Sequence, residues 1–269
     1  MAEPIPVSKR GAVCPPRARR ALSTETLPFT RWAITCAALS LFAASGVYAD
    51  AVSKPEMLPQ AEQAQWNAIG RVNVAGLDKR TMCSGTLVAS DLVLTAAHCL
   101  VGRSGETRRA EDIHFVAGWR GGAYVAHGRV SEIFLHPEYD ARMPPVAERV
   151  ASDIAFLRLA EPLPETDVAP LPLADLPENA SAVMQLGYRR DRPHALSRQS
   201  GCTVTYRNSG ILGTDCPVVN GVSGAPLVWD GPNGWRVVGL VSASVAGDGP
   251  TRSLSALAPL RPFEKPESF

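Results

Sequence analysis

An all-β fold is predicted by three observations on the 269-residue chain. Its 23 prolines and 22 glycines punctuate it too often for long helices. Apolar residues fall in short runs bounded by turn-forming residues, and long helical polar–apolar repeats are scarce. With 45% hydrophobic and 20% charged residues, the chain has material for one or two packed cores.

Taken in order, residues 50–65 are polar and proline-containing without periodicity, and are expected to be a tail or a short pro-segment. A first strand-rich unit is expected over 66–160. Its strands are Ile69–Val74, Cys83–Val88, Leu92–Ala96, His114–Ala117, Ala123–His127, Val130–Leu135 and Ile154–Leu159, separated by turn-formers such as Gly76, Ser90-Asp91 and Gly121-Gly122. Four prolines between Glu161 and Pro172 cannot pair as a central strand, so 161–177 is expected to connect two units. A second unit over 178–258 carries strands Ala182–Tyr188, Cys202–Tyr206, Ile211–Asp215, Ala225–Trp229 and Trp235–Val245. Pro259, Pro262 and Pro266 break the end of the chain, leaving 259–269 as a tail with room for a short helix only.

The N-terminus is of different material. Lys9, Arg10, Arg17, Arg19, Arg20 and Arg31 outnumber Glu3 and Glu25, and Trp32 to Ala49 carries no charge. This run ends in small residues, Val47-Tyr-Ala49, which suits cleavage of an export signal before Asp50. An uncleaved anchor is the other reading of the same run. Of the 27 basic and 26 acidic side chains, six and two fall before Asp50, leaving a net charge of about −3 beyond it. The remaining arginines are scattered, with Arg108-Arg109 and Arg189–Arg192 as solvated groups. No basic face for nucleic acid is therefore expected.

Removal of 1–49 would take Cys14 and Cys36 and leave Cys83, Cys99, Cys202 and Cys216, an even set suited to a secreted or periplasmic location. Three pairings are open to four cysteines. The local ones, Cys83–Cys99 and Cys202–Cys216, are favoured. The absence of any Cys-x-x-Cys spacing weakens a zinc site, and neither metal nor cofactor is expected.

A serine hydroxyl needs a base within hydrogen-bond reach, and the base needs an acid to fix its tautomer. His98 ends the aliphatic stretch Leu92–Ala97, Ser223 sits in Gly221-Val-Ser-Gly-Ala-Pro226, and Asp153 leads into the apolar stretch Ile154–Leu159. The glycines around Ser223 let backbone amides approach a developing oxyanion. An α/β-hydrolase elbow would require Gly-x-Ser-x-Gly with histidine after serine, and here histidine comes first. His114, His127, His136 and His194 lack ligand spacing and are assigned surface or packing roles.

The pieces Ala68-Ile-Gly-Arg-Val72, Cys83-Ser-Gly-Thr-Leu87, Leu94-Thr-Ala-Ala-His-Cys99, His136-Pro-Glu-Tyr-Asp140, Asp153-Ile-Ala-Phe-Leu157 and Gly221-Val-Ser-Gly-Ala-Pro226 resemble the chymotrypsin-fold, trypsin-like serine endopeptidases. Within them the chain is similar to the exported bacterial branch of glutamyl endopeptidases. The resemblance implies two six-stranded antiparallel β-barrels with the active site in the cleft between them. It also implies His98 as base and acid, Asp153 as its orienting acid, Ser223 as nucleophile, and the amides of Gly221 and Ser223 as the oxyanion hole. Substrate contacts are implied for Val218, Val241, Ser242 and Ser244, with Ser242 close to the buried acid.

The chain also departs from that pattern. Val222 stands where the trypsin-like branch has an aspartate that pairs with a newly freed N-terminus. Leu240–Ser244 lacks the pocket histidine of glutamyl endopeptidases, and Pro217 stands where trypsin-like enzymes carry an acidic floor, with Asp215 nearby. An uncharged pocket for small or medium apolar side chains is therefore expected. The expected activity is hydrolysis of a protein or peptide by a monomer that keeps no stable membrane association once its signal is cut. The competing expectation is a catalytically silent binding protein on the same fold.

Overall fold

A computed structural model of the chain describes residues 54–74, 81–102, 104–144 and 146–263. The export-signal reading of 1–49, Cys14, Cys36, Gly76 and Pro266 lie outside the described residues.

Six strands form the first closed antiparallel barrel: β2 (Ile69–Val74), β3 (Thr81–Ala89), β4 (Leu92–Thr95), β5 (Ile113–Ala117), β6 (Ala126–Leu135) and β7 (Ala155–Leu159). They pair in the order β2-β3-β4-β7-β6-β5, and β5 returns to β2. Closure leaves no strand edge open. Val72, Leu87, Val93, Phe115 and Leu157 fill the interior at 0–1% exposure, while Leu94 and Phe156 are buried on the outer face.

The second sheet runs β1-β9-β10-β13-β12-β11-β8, and β8 also pairs with β9, so six of its seven strands close on themselves. They are β8 (Ala182–Arg189), β9 (Arg192–Asn208), β10 (Ile211–Thr214), β11 (Pro226–Gly231), β12 (Gly234–Ser244) and β13 (Ser253–Leu257). The seventh strand, β1 (Glu56–Met57), is added along β9. The architecture is the all-β two-barrel one that the sequence predicts.

Three features differ from expectation. Ala126, His127 and Val130–Leu135 fall in the single strand β6, in which Gly128 carries the pairing on opposite Phe115. β9 is a 17-residue strand of which Cys202–Tyr206 is only a part, and it continues through Pro193 and Gly201. β13 adds a strand to the second unit where none was assigned, with Ser253, Ser255 and Ala256 fully buried between β10 and β12.

Residues 54–66 are not loose either. β1 pairs with β9, Leu58 and Trp66 are 0% and 1% exposed, and Arg198 on β9 binds both Glu56 and Glu62. The proline-rich connector buries Leu163, Val168 and Leu171 and makes one parallel bridge, Leu173 with Val237 of β12.

Candidate active site

β4 and β7 are antiparallel neighbours with Thr95 opposite Ala155. Residues just after Thr95 and just before Ala155 therefore leave the barrel at the same end. His98 lies in the 3-10 turn Ala97–Cys99 that follows β4, and Asp153 lies between the short helix α1 (Ala147–Ala151) and β7. The Ser152 hydroxyl donates to the Glu148 carbonyl (2.9 Å) and closes that helix.

The Asp153 side chain is 4% exposed and accepts three hydrogen bonds. These come from His98 N to Oδ1 (2.8 Å), His98 Nδ1 to Oδ2 (2.6 Å) and Ser242 Oγ to Oδ2 (2.5 Å). An ionised carboxylate can only accept, so Nδ1 carries the imidazole proton and Nε2 keeps its lone pair. Ser242 reaches Asp153 at an irregularity of β12 between Val241 and Ala243, where the strand slips against β13. Burial, and then the Asp153 charge, push the Tyr139 phenol up to about 12, so it stays neutral beside that carboxylate.

Ser223 follows from the loop between β10 and β11. Gly221 and Gly224 flank it at φ +96° and +75°, conformations that L side chains rarely adopt. A Cβ on Gly224 would stand 2.4 Å from both Ser84 O and Thr95 Oγ1, and one on Gly221 2.8 Å from Tyr188 O. No side chain fits at either position. Ser223 and His98 line one cavity of about 370 Å³ together with Gly221, Asn220, Met82 and Arg190. A larger opening of about 430 Å³ on the second barrel, around Trp66 and Trp235, includes neither His98 nor Ser223.

The remaining residues expected in the site are distributed differently. Val241 is 2% exposed in the core of the second barrel, Val218 packs against that core, and Ser244 is exposed. None of the three lines the cavity shared by His98 and Ser223. Asp215 accepts the Thr203 amide (2.8 Å) and so ties β9 to the end of β10. Val222 is 1% exposed among Val183, Ala225 and Val238, so the place of the trypsin-branch aspartate is filled by apolar packing. Met82, Arg190 and Asn220 were not identified as site residues from the sequence. Met82 directly precedes the Cys83 motif, and Arg190 belongs to the arginine group assigned to solvent.

Cys83–Cys99 and Cys202–Cys216 are disulfides. The first joins β3 to the His98 turn. The Cys83, Cys99 and His98 ligand atoms lie within 4.8 Å of one another, but with both sulfurs in a disulfide neither offers a thiolate to a metal.

A family model for trypsin matches residues 59–265. The chain belongs to the trypsin family of serine proteases. Its curated relatives include vitamin K-dependent protein C of Mus musculus, 28% identical over 221 residues that make up 69% of this chain and 44% of the relative. The Rattus norvegicus protein of the same name is 27% identical over 217 residues, with the same shares. The Oryctolagus cuniculus one is 28% identical over 207 residues, 61% of this chain and 41% of the relative. The chain thus spans less than half the length of these relatives. The family as a whole is one of serine peptidases.

Proposed function

We propose that the protein is an exported serine endopeptidase working through an acyl-enzyme, with Ser223 as nucleophile, His98 as general base and acid, and Asp153 as the orienting acid. The reading is carried by the Asp153–His98 pair at 2.6 Å, opening onto the cavity that Ser223 shares.

In this scheme Nε2 of His98 takes the Ser223 hydroxyl proton as Oγ attacks the scissile carbonyl. The imidazolium is stabilised by Asp153, whose other two hydrogen bonds hold the carboxylate in place. The carbonyl oxygen becomes an oxyanion facing the amides of Gly221 and Ser223. His98 returns the proton to the leaving amine, and water repeats the sequence on the acyl-enzyme. The catalytic unit is assigned to 66–160 and 178–258, joined by 161–177.

Export is supported by the charge-free run before Asp50 and by the two disulfides, which suit a secreted or periplasmic location. Among the described residues no helix is long and apolar enough to cross a membrane. Assignment to the exported bacterial branch, and to a monomer, rests on the sequence motifs. Preference for a small or medium apolar residue before the scissile bond rests on the sequence motifs, in which Val218, Val241 and Ser244 carry no charge. Arg190 in the cavity adds attraction for an acidic side chain on the leaving-group flank, because its neighbour Arg189 is already paired with Asp191 (2.7 Å).

The deciding experiment is labelling by a fluorophosphonate probe, followed by a peptide-library cleavage profile. Phosphonylation of Ser223 is expected. A folded protein that takes no label and cleaves no peptide would instead be the catalytically silent form.

A further inference from the structure

Amides form an oxyanion hole only if the peptide planes carrying them point the right way. Each trans peptide sets its N–H opposite its C=O, so anchoring the carbonyl fixes the direction of the amide. Around Ser223 every carbonyl has an anchor. Asn220 O accepts the Arg190 amide (2.8 Å), which turns the Gly221 N–H away from β8. Gly221 O accepts the Ser84 hydroxyl (3.0 Å). Val222 O accepts the Ala225 amide (2.8 Å), and Ser223 O accepts the Ser84 amide (2.8 Å).

Asn220 O and Val222 O share their peptides with the Gly221 and Ser223 amides, and Ser84, on β3 of the first barrel, holds the adjoining peptides through Gly221 O and Ser223 O. Its hydroxyl also accepts the Tyr188 amide (2.8 Å), its carbonyl accepts the Thr95 hydroxyl (2.8 Å), and the residue is 0% exposed. The Ser84 hydroxyl thus joins the end of β8 to the loop bearing Ser223, while its backbone carbonyl and amide tie the same residue to β4 and to Ser223. Where trypsin-like relatives would place an ion pair, Val222 is buried in apolar core. The described N-terminal segment is occupied elsewhere: β1 lies along β9, Leu58 N donates to Leu196 O (2.9 Å), and Leu58 O accepts from Arg120 (2.8 Å).

We infer that Ser84 is the positioning residue that holds the oxyanion loop in its working conformation, so that the enzyme needs no newly freed N-terminus to become active. This rests on the endopeptidase reading above. Ser84 touches no reacting atom and acts through Gly221 and Ser223. Loss of its hydroxyl frees the Gly221 carbonyl and leaves the Tyr188 amide buried without its acceptor. The 221–222 peptide, which joins the two peptides bearing the Gly221 and Ser223 amides, is then free to turn, and the relative direction of those two amides is no longer fixed. Such a defect weakens binding of the tetrahedral intermediate more than binding of the ground-state substrate.

The test uses the protein from Asp50 onward, made with a blocked N-terminus, alongside Ser84→Ala and Ser84→Cys. Blocked wild type is expected to be fully active, as fast as the same chain with a free terminus. Ser84→Ala should lower kcat about 10- to 100-fold with KM changed less than about threefold, and should weaken a peptide aldehyde, which forms an oxyanion, by a similar factor. Ser84→Cys keeps a weak donor and should fall between the two, and it carries the test if the alanine variant does not fold. A kcat within about twofold of wild type in both variants, or activity that requires a free terminus, overturns the inference alone. Wild type that neither labels with a fluorophosphonate nor cleaves peptides overturns the endopeptidase reading itself, and this inference with it.

Discussion

Asp153 is buried, accepts three hydrogen bonds and sits 2.6 Å from the imidazole, so it has no freedom to act as anything but an anchor. Asp153→Asn should preserve the fold and lower kcat about 10⁴-fold, because the amide favours the wrong imidazole tautomer; Ser223→Ala and His98→Ala should also lose several orders of magnitude. Steady-state peptide hydrolysis checks this, and near-wild-type rates in Ser223→Ala would remove that serine from the mechanism. Removing one donor to the carboxylate, Ser242→Ala, should cost about tenfold in kcat with little change in KM. Arg190 is exposed, so its attraction for an acidic leaving-group residue is worth only about 1 kcal/mol, a preference of roughly fivefold. Arg190→Glu should reverse that preference in a library profile, and an unchanged profile would exclude the contact. His98 and Ser223 are legible in the sequence because their neighbours are chemically constrained: Cys99 is bonded, and Gly221 and Gly224 must be glycine. Ser84 and Arg190 are not legible, since their roles depend on partners more than a hundred residues away for Ser84 and on a loop contact for Arg190.

Strands of the first barrel are legible because their burial alternates or is continuous over short runs, as in β2 and β4, with turn-formers between them. β9 hides because Arg192, Pro193 and Gly201 look like breakers, yet the strand only bends there and trades partners among β8, β10 and β1. β13 hides because Ser253 and Ser255 are polar, while Ser253 is paired with Thr214 across strands (2.9 Å). Two element-scale expectations follow from the connections. Replacing Cys202 and Cys216 together with alanine opens a link of separation 14 and should cost about 3 kcal/mol in the chain-entropy account, roughly 6–12 °C in Tm. An unchanged Tm would mean the link adds no stability. The turn between β6 and α1 carries His136, which packs edge-on to Phe263 (4.8 Å) and accepts the Glu138 amide at Nδ1 (3.2 Å). Burial holds its pKa below the ordinary value of 6.5, against the opposing pull of Glu138. The unfolded chain therefore binds the proton first. Stability from His136 is complete above pH 6.5 and is lost as pH falls through the lowered folded value. Thermal melts from pH 7.5 to 5 should show this loss, and His136→Gln should flatten part of it; equal slopes in both proteins would exclude the group.

At the scale of the whole molecule, the question is whether the segment before the first barrel restrains the enzyme or completes it. The polar composition of 50–65 is compatible with an inhibitory pro-segment, but the contacts of its described part are those of a structural strap. Glu56 and Glu62 pair with Arg198, Leu58 is fully buried, and Trp66 stacks edge-on against Trp235 (5.3 Å). None of these residues lines the cavity shared by His98 and Ser223. Cutting the chain after Leu58 would return that leucine to water at a cost of about 2 kcal/mol and unpair the edge of β9 along with half of the Arg198 ion pairing. For a domain of this size that corresponds to a Tm lower by roughly 4–8 °C. Turnover per folded molecule, measured well below the new Tm, should stay within about twofold of the longer chain. A truncated protein that melts at the same temperature and turns over many times faster would establish the opposite, an inhibitory segment whose contacts with β9 contribute nothing to stability.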